Sequence, residues 1–151
     1  MQGKIALVTG ATRGIGRAIA EELSSKGAFV IGTATSEKGA EAISAYLGDK
    51  GKGLVLNVTD KESIETLLEQ IKNDFGDIDI LVNNAGITRD NLLMRMKDDE
   101  WFDIMQTNLT SVYHLSKAML RSMMKKRFGR IINIGSVVGS TGNPGQTNYC
   151  A

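Results

Sequence analysis

The chain has 151 residues, 18 basic and 17 acidic, for a net charge of +1, so no bulk charge points to nucleic acid or to an anionic membrane. Its single cysteine, Cys150, excludes an internal disulfide and a cysteine-rich metal site, and no metal is expected. No apolar stretch reaches membrane-spanning length, and Met1-Gln2-Gly3-Lys4 leads straight into an apolar run, so a cytoplasmic chain without a signal segment is expected.

Apolar runs then alternate with helical patterns. A strand is predicted over 4–9, around Ile5-Ala6-Leu7-Val8, followed by a glycine-rich turn and a helix over 14–26. A strand over 28–33 leads to a helix over 37–48, and a strand over 53–57 to a helix over 61–75. The last pair begins with a strand over 79–83 and a long helix over 99–126, and ends in a strand over 130–135. Thr35-Ser36 and Thr59-Asp60 stand where helix N-caps belong, and Gly27 and Gly76 close the helices before them. Strands this apolar, without alternation, are buried on both faces. The prediction is a single α/β domain over 1–151, a doubly wound, Rossmann-like parallel sheet of strand order 3-2-1-4-5.

Ligands of such sheets bind at the carboxyl ends of the strands, near the switch point. The first strand ends in Gly10-Ala11-Thr12-Arg13-Gly14-Ile15-Gly16. A turn of this kind aims backbone N–H groups and a helix dipole at one point, which suits a phosphate. The spacing G-x-x-x-G-x-G differs from the common G-x-G-x-x-G, and no Gly-Lys-Ser/Thr is present, so a nucleoside-triphosphate loop is excluded. A plain tight turn is the structural alternative. The second strand carries no carboxylate at Thr33, Ala34 or Thr35 to receive the ribose hydroxyls of NAD. Arg13 could instead pair with a 2′-phosphate, so NADP is favoured over a merely solvated Arg13. Asn57 and Val58 follow the third strand, Asn84-Ala85-Gly86 the fourth and Ser136 the fifth. Small and polar residues thus gather at one rim.

Thr9-Gly10-x-x-x-Gly14-x-Gly16, Asn83-Asn84-Ala85-Gly86, Asn108, Ser136 and Tyr149 together resemble the short-chain dehydrogenases/reductases over the whole chain. Asn84 to Leu92 and Gly129 to Ser136 resemble, more narrowly, the 3-oxoacyl-[acyl-carrier-protein] reductases of bacterial fatty-acid synthesis. The resemblance implies NADPH-dependent reduction of a 3-oxoacyl group carried by acyl carrier protein. Tyr149 would give a proton to the developing alkoxide, Ser136 would orient the carbonyl, and Asn108 would hold a water of the proton relay. A free phenol, of pKa about 10, is a poor acid near neutrality without a neighbouring cation. In the family that cation is a lysine four residues after the tyrosine. Here Ala151 follows Tyr149 by two, so that position, the helix carrying Tyr149 and the later strands are expected to be missing. The chain reads as part of a longer reductase, and a polypeptide ending at Ala151 is expected to be inactive. A reductase of another small carbonyl such as acetoacetyl-CoA, or a non-catalytic nucleotide-binding module, are the alternatives.

The remaining features have plain readings. His114, mid-helix and without a partner carboxylate, reads as packing, and Cys150 lacks a partner histidine. Met119, Met123, Met124, Leu115 and Leu120 form an apolar stripe, by default core. In the resembled family that helix packs on its counterpart, which implies a homotetramer. Arg121, Lys125, Lys126, Arg127 and Arg130 form either a solvated basic face or a docking site for the acidic carrier protein. Charge reversal at Lys126 and Arg127 would then raise the KM for carrier-bound substrate.

Overall fold

The computed structural model describes residues 1–151. Five parallel strands, β1 (Ile5–Val8), β2 (Phe29–Ala34), β3 (Gly51–Val55), β4 (Ile80–Asn83) and β5 (Arg130–Asn133), form one sheet in the order β3-β2-β1-β4-β5. The doubly wound expectation therefore holds. Helices α1 (Gly14–Ser25) and α2 (Glu37–Leu47) pack with Ala6, Val8, Val30, Ile80 and Val82 on one face. Helices α3 (Lys61–Asp74) and α5 (Ser111–Lys126) pack with Leu7, Ile31 and Leu81 on the other. Successive strand residues point to opposite faces, so a strand covered on both sides must be apolar throughout.

The caps are those the sequence marks. The Ser36 hydroxyl accepts from Gly39 N, and the Asp60 carboxylate accepts from Glu62 N and Ser63 N. Gly27 and Gly76 follow α1 and α3 with φ of +90° and +116°, values that favour glycine.

Four expectations need correction. The third strand lies at Gly51–Val55, not over 53–57, because its register runs from Val30↔Gly51 to Ala34↔Val55. Glycines are required there: a Cβ on Gly53 would run into the Ala40 carbonyl of α2. The long helix over 99–126 is three segments, α4 (Asp98–Ile104), a π turn (Met105–Thr110) and α5. Its extra residue is stabilised by side-chain bonds described below. Finally, Tyr149 does sit on a helical turn, α7 (Thr147–Cys150), preceded by the short α6 (Val138–Thr141). The fifth strand also ends earlier than 135, at Asn133, although Ile134 N still donates to Asn83 O. On the face of β5 opposite Ile131, Ile132 and Ile134 are exposed. No helix is long and apolar enough to cross a membrane.

Candidate functional site

The turn after β1 is built on two left-handed glycines, Gly10 (φ +65°) and Gly14 (φ +58°). A Cβ on Gly10 would stand 3.0 Å from Ala85 Cα, and one on Gly16 would collide with the Gly10 carbonyl and the Asn84 amide. These glycines let the turn close onto the end of β4. Over Gly14 there is open space.

The back of the turn is braced. Ala11 N donates to Thr33 O at 2.9 Å, the Tyr46 hydroxyl donates to Ala11 O at 2.7 Å, and Asn84 Nδ2 donates to Thr9 O and Gly10 O, both at 3.0 Å. The buried Thr9 hydroxyl accepts from Asn84 N and Ala85 N. Burial, reinforced by Glu21 and opposed by Arg17, pushes the Tyr46 phenol up to about 12, so it stays a neutral donor. Ala11 is fully buried with both backbone groups engaged, and therefore shapes the turn from behind. Thr12, Arg13, Gly14 and Ile15 form its exposed front.

That front is the N-terminus of a twelve-residue helix whose N-cap, Arg13, makes no side-chain cap bond. The first N–H groups of α1 thus point outward without a side-chain acceptor, beside open space and a guanidinium. These residues fit the pyrophosphate of a dinucleotide.

Across the sheet, the π turn presents Asn108. Its Oδ1 accepts from Ile87 N and its Nδ2 donates to Ile87 O, both at 2.9 Å. Its amide thereby grips the backbone just beyond Gly86, where a Cβ would meet Asn108 Oδ1 at 3.4 Å. The next turn is closed by Ser111, whose hydroxyl donates to Thr107 O. The amide of Asn108 is thus a latch on the chain, with one Nδ2 hydrogen and one Oδ1 lone pair left over. Asn83 Nδ2 ties β4 to β5 through Asn133 Oδ1 at 2.8 Å. Ser136 is exposed just after β5, its Oγ accepting from Val138 N at 3.3 Å. Tyr149 is half-buried on α7.

One cavity of about 830 Å³ joins these parts. Arg13 and Ile15 line it from the glycine turn, and Asn84, Ala85 and Gly86 from the end of β4. Asn108, Ser136 and Tyr149 line its far side. Thr35, Asn57 and Val58 do not line it. They follow β2 and β3, beyond β1, where Thr35 is exposed and Val58 belongs to the core. The Asn57 carboxamide oxygen is occupied by Thr59 N and the Thr59 hydroxyl. No three His, Cys, Asp or Glu side chains come together as a metal site. The His114 Nδ1 is buried without a partner, its ring beside Tyr113.

Sequence reading missed two supports of this cleft, Tyr46 and Asn148, and one tie at the opposite end of β4, Asp79. Tyr46 carries no motif, since on α2 it reads as one more half-buried aromatic. Asn148 was hidden beside Tyr149, and only adjacency could have flagged it. Asp79 was hidden in the strand preceding Asn83. The Asp79 side chain, 4% exposed, accepts from Ile5 N and from the Lys126 ammonium, with Lys4 at 4.0 Å. Burial pushes its carboxyl up, but the Lys126 bond, the Ile5 N–H and the two lysine charges together outweigh this and hold it below its ordinary value. Lys126 is consequently an anchor, not a free member of the basic cluster, whereas its exposed neighbours Lys125 and Arg127 make no ion pair.

Residues 4–151 match the family model described as short chain dehydrogenase. The chain is 99% identical over 151 residues to the Haemophilus influenzae protein named 3-oxoacyl-[acyl-carrier-protein] reductase FabG. It is 73% identical over 150 residues to the Escherichia coli protein of that name, and 65% identical over 154 residues to that of Pseudomonas aeruginosa. These alignments take in 99% or more of the chain, which spans 62% of the length of each relative.

Proposed function

The chain belongs to the short chain dehydrogenase family, and from that premise we propose that residues 1–151 form the NADP-binding domain of a 3-oxoacyl-[acyl-carrier-protein] reductase of fatty-acid biosynthesis. The observation that carries this reading is the single cavity reached by Arg13 and Ile15 at one end and by Asn108, Ser136 and Tyr149 at the other. The proteins named for this activity are near-identical or closely similar along the chain.

Bound NADPH supplies a hydride to the 3-keto carbon. The rest of the chemistry falls to side chains of this chain. The outward N–H groups of α1 and the Arg13 guanidinium hold the pyrophosphate and the 2′-phosphate. Gly14 leaves the backbone open for that approach, Gly10 and Gly16 let the turn close against β4, Thr12 lies on the exposed front and Ala11 sets its shape. Asn84, Ala85 and Gly86 offer a small-residue floor, and Thr35, Asn57 and Val58 lie toward the adenosine end. Ser136 donates to the substrate carbonyl oxygen, and Tyr149 delivers a proton to that oxygen as it gains charge. Asn108 fixes the Ile87 backbone and, through the hydrogen-bonding capacity this latch leaves free, holds a water of the proton relay.

Acyl carrier protein is the partner this reading requires, and the cytoplasm is where such a chain works. The outward face of α5, with Tyr113 at 56% and Met124 at 74% exposure, suits pairing between copies in a homotetramer.

The test is turnover of 3-oxoacyl carrier protein by the full-length protein, followed as loss of NADPH absorbance. Tyr149→Phe should cost roughly a hundred- to ten-thousandfold in kcat, the usual worth of a positioned acid, with NADPH binding retained. Equal turnover on carrier-bound and CoA-bound substrates would point to a small thioester as the natural substrate.

A further inference from the structure

Asn148 is fully buried, and all its amide atoms are engaged. Its Nδ2 donates to Arg89 O at 2.8 Å and to Glu100 O at 3.0 Å, and its Oδ1 accepts from the N–H of Tyr149 at 2.8 Å. Each of these bonds reaches a part of the cleft. Arg89 lies three residues past Gly86, Glu100 lies in α4, and α4 runs directly into the π turn that carries Asn108. Asn108 grips the same stretch of chain two residues earlier, through both backbone groups of Ile87.

The two amides therefore close a ring. Tyr149 is bound to Asn148, Asn148 to the Ile87–Arg89 stretch and to α4, and α4 through Asn108 back to Ile87. We propose that Asn148 is a positioning residue that fixes Tyr149 relative to the π turn and to the mouth of the cleft, a role that rests on the reductase reading. A buried carboxamide with every donor and acceptor satisfied holds one geometry, since any movement of α7 against α4 leaves a buried polar group unpaired. The two donors are required by the two carbonyls they face, so neither an aspartate nor an apolar residue can replace them. Two further bonds, Asn91 N to Gly145 O and Gln146 Nε2 to Asp90 Oδ1, join the same strips of chain nearer the surface.

The experiment compares full-length wild type with Asn148→Ala and Asn148→Ser. It measures kcat and KM, the NADPH dissociation constant by fluorescence, and amide exchange at residues 87–91 and at Tyr149. Asn148→Ala should lower kcat roughly ten- to hundredfold, the scale on which misplacing a reacting group is felt. NADPH affinity should be unchanged and exchange at 87–91 faster. Asn148→Ser, which keeps one donor, should fall between, and it carries the comparison if the alanine variant does not fold. Unchanged kcat in an active protein overturns the proposal. So does a loss of kcat matched by an equal loss of NADPH affinity, which marks general damage to the fold. If wild type shows no turnover, the reductase reading is what fails, and exchange alone decides: faster exchange supports the tie, and unchanged exchange refutes it.

Discussion

Arg13 holds the N-cap position of α1 with an extended backbone, φ −156° and ψ 176°, and its side chain is exposed at the edge of the cavity. A residue so placed adds little to the stability of the helix, which would gain more from a serine or aspartate that caps it. Its guanidinium is instead available for a phosphate beyond the pyrophosphate. Arg13→Ala should weaken NADPH binding roughly ten- to hundredfold, since a charge-assisted hydrogen bond is worth about 1.5–3 kcal/mol. NADH binding should barely change. Fluorescence titration with both cofactors checks this, and an equal loss for both would place Arg13 away from the 2′-phosphate.

Between elements, the structure is tied at both ends of β4. At its carboxyl end, Asn83 and Asn84 reach β5 and the glycine turn. At its start, Asp79 joins β1 through Ile5 N and α5 through Lys126. Asp79→Asn should lower stability by about 1–3 kcal/mol at neutral pH, because the two lysines keep partial access to water once their partner is neutral. The folded carboxyl sits below its ordinary value, so the unfolded chain takes up the proton first. The stabilisation is complete above the unfolded value, about 3.9, and is lost as pH falls through it toward the folded one. Denaturant melts across that range should show wild type converging on the variant. The same pair corrects the view of the basic cluster, since reversing Lys126 would set a carboxylate against the buried Asp79 before it tested any docking.

At the scale of the whole chain, the charge of these 151 residues is nearly balanced, so they would attract an acidic carrier only through a local patch. Arg127 ends α5 in the left-handed region, φ +52°, where its exposed side chain stands clear of the Lys126–Asp79 anchor. Arg127→Glu should raise the KM for carrier-bound substrate roughly three- to tenfold, the range expected of rim charges, and leave a CoA thioester unaffected. Steady-state kinetics on both substrates, repeated at high salt, check it. Loss on both would remove docking from that end of the helix.

Much of this was legible in the sequence because it follows from local chemistry. Short apolar runs rich in β-branched residues and bounded by polar turns, such as Ile80-Leu81-Val82, suit strands buried on both faces, and Gly10, Gly14 and Gly16 mark a turn that other residues would clash in or strain. The caps at Ser36 and Asp60 are equally local. What only the tertiary structure decided depends on partners far apart in the chain. The π turn exists where Asn108 finds the Ile87 backbone, the anchoring of Lys126 depends on Asp79 some 47 residues earlier, and Asn148 matters through carbonyls 59 and 48 residues away. Helical periodicity reports which face of an element is apolar. It cannot report which carbonyl a side-chain amide will meet, because that meeting is fixed only when the elements pack.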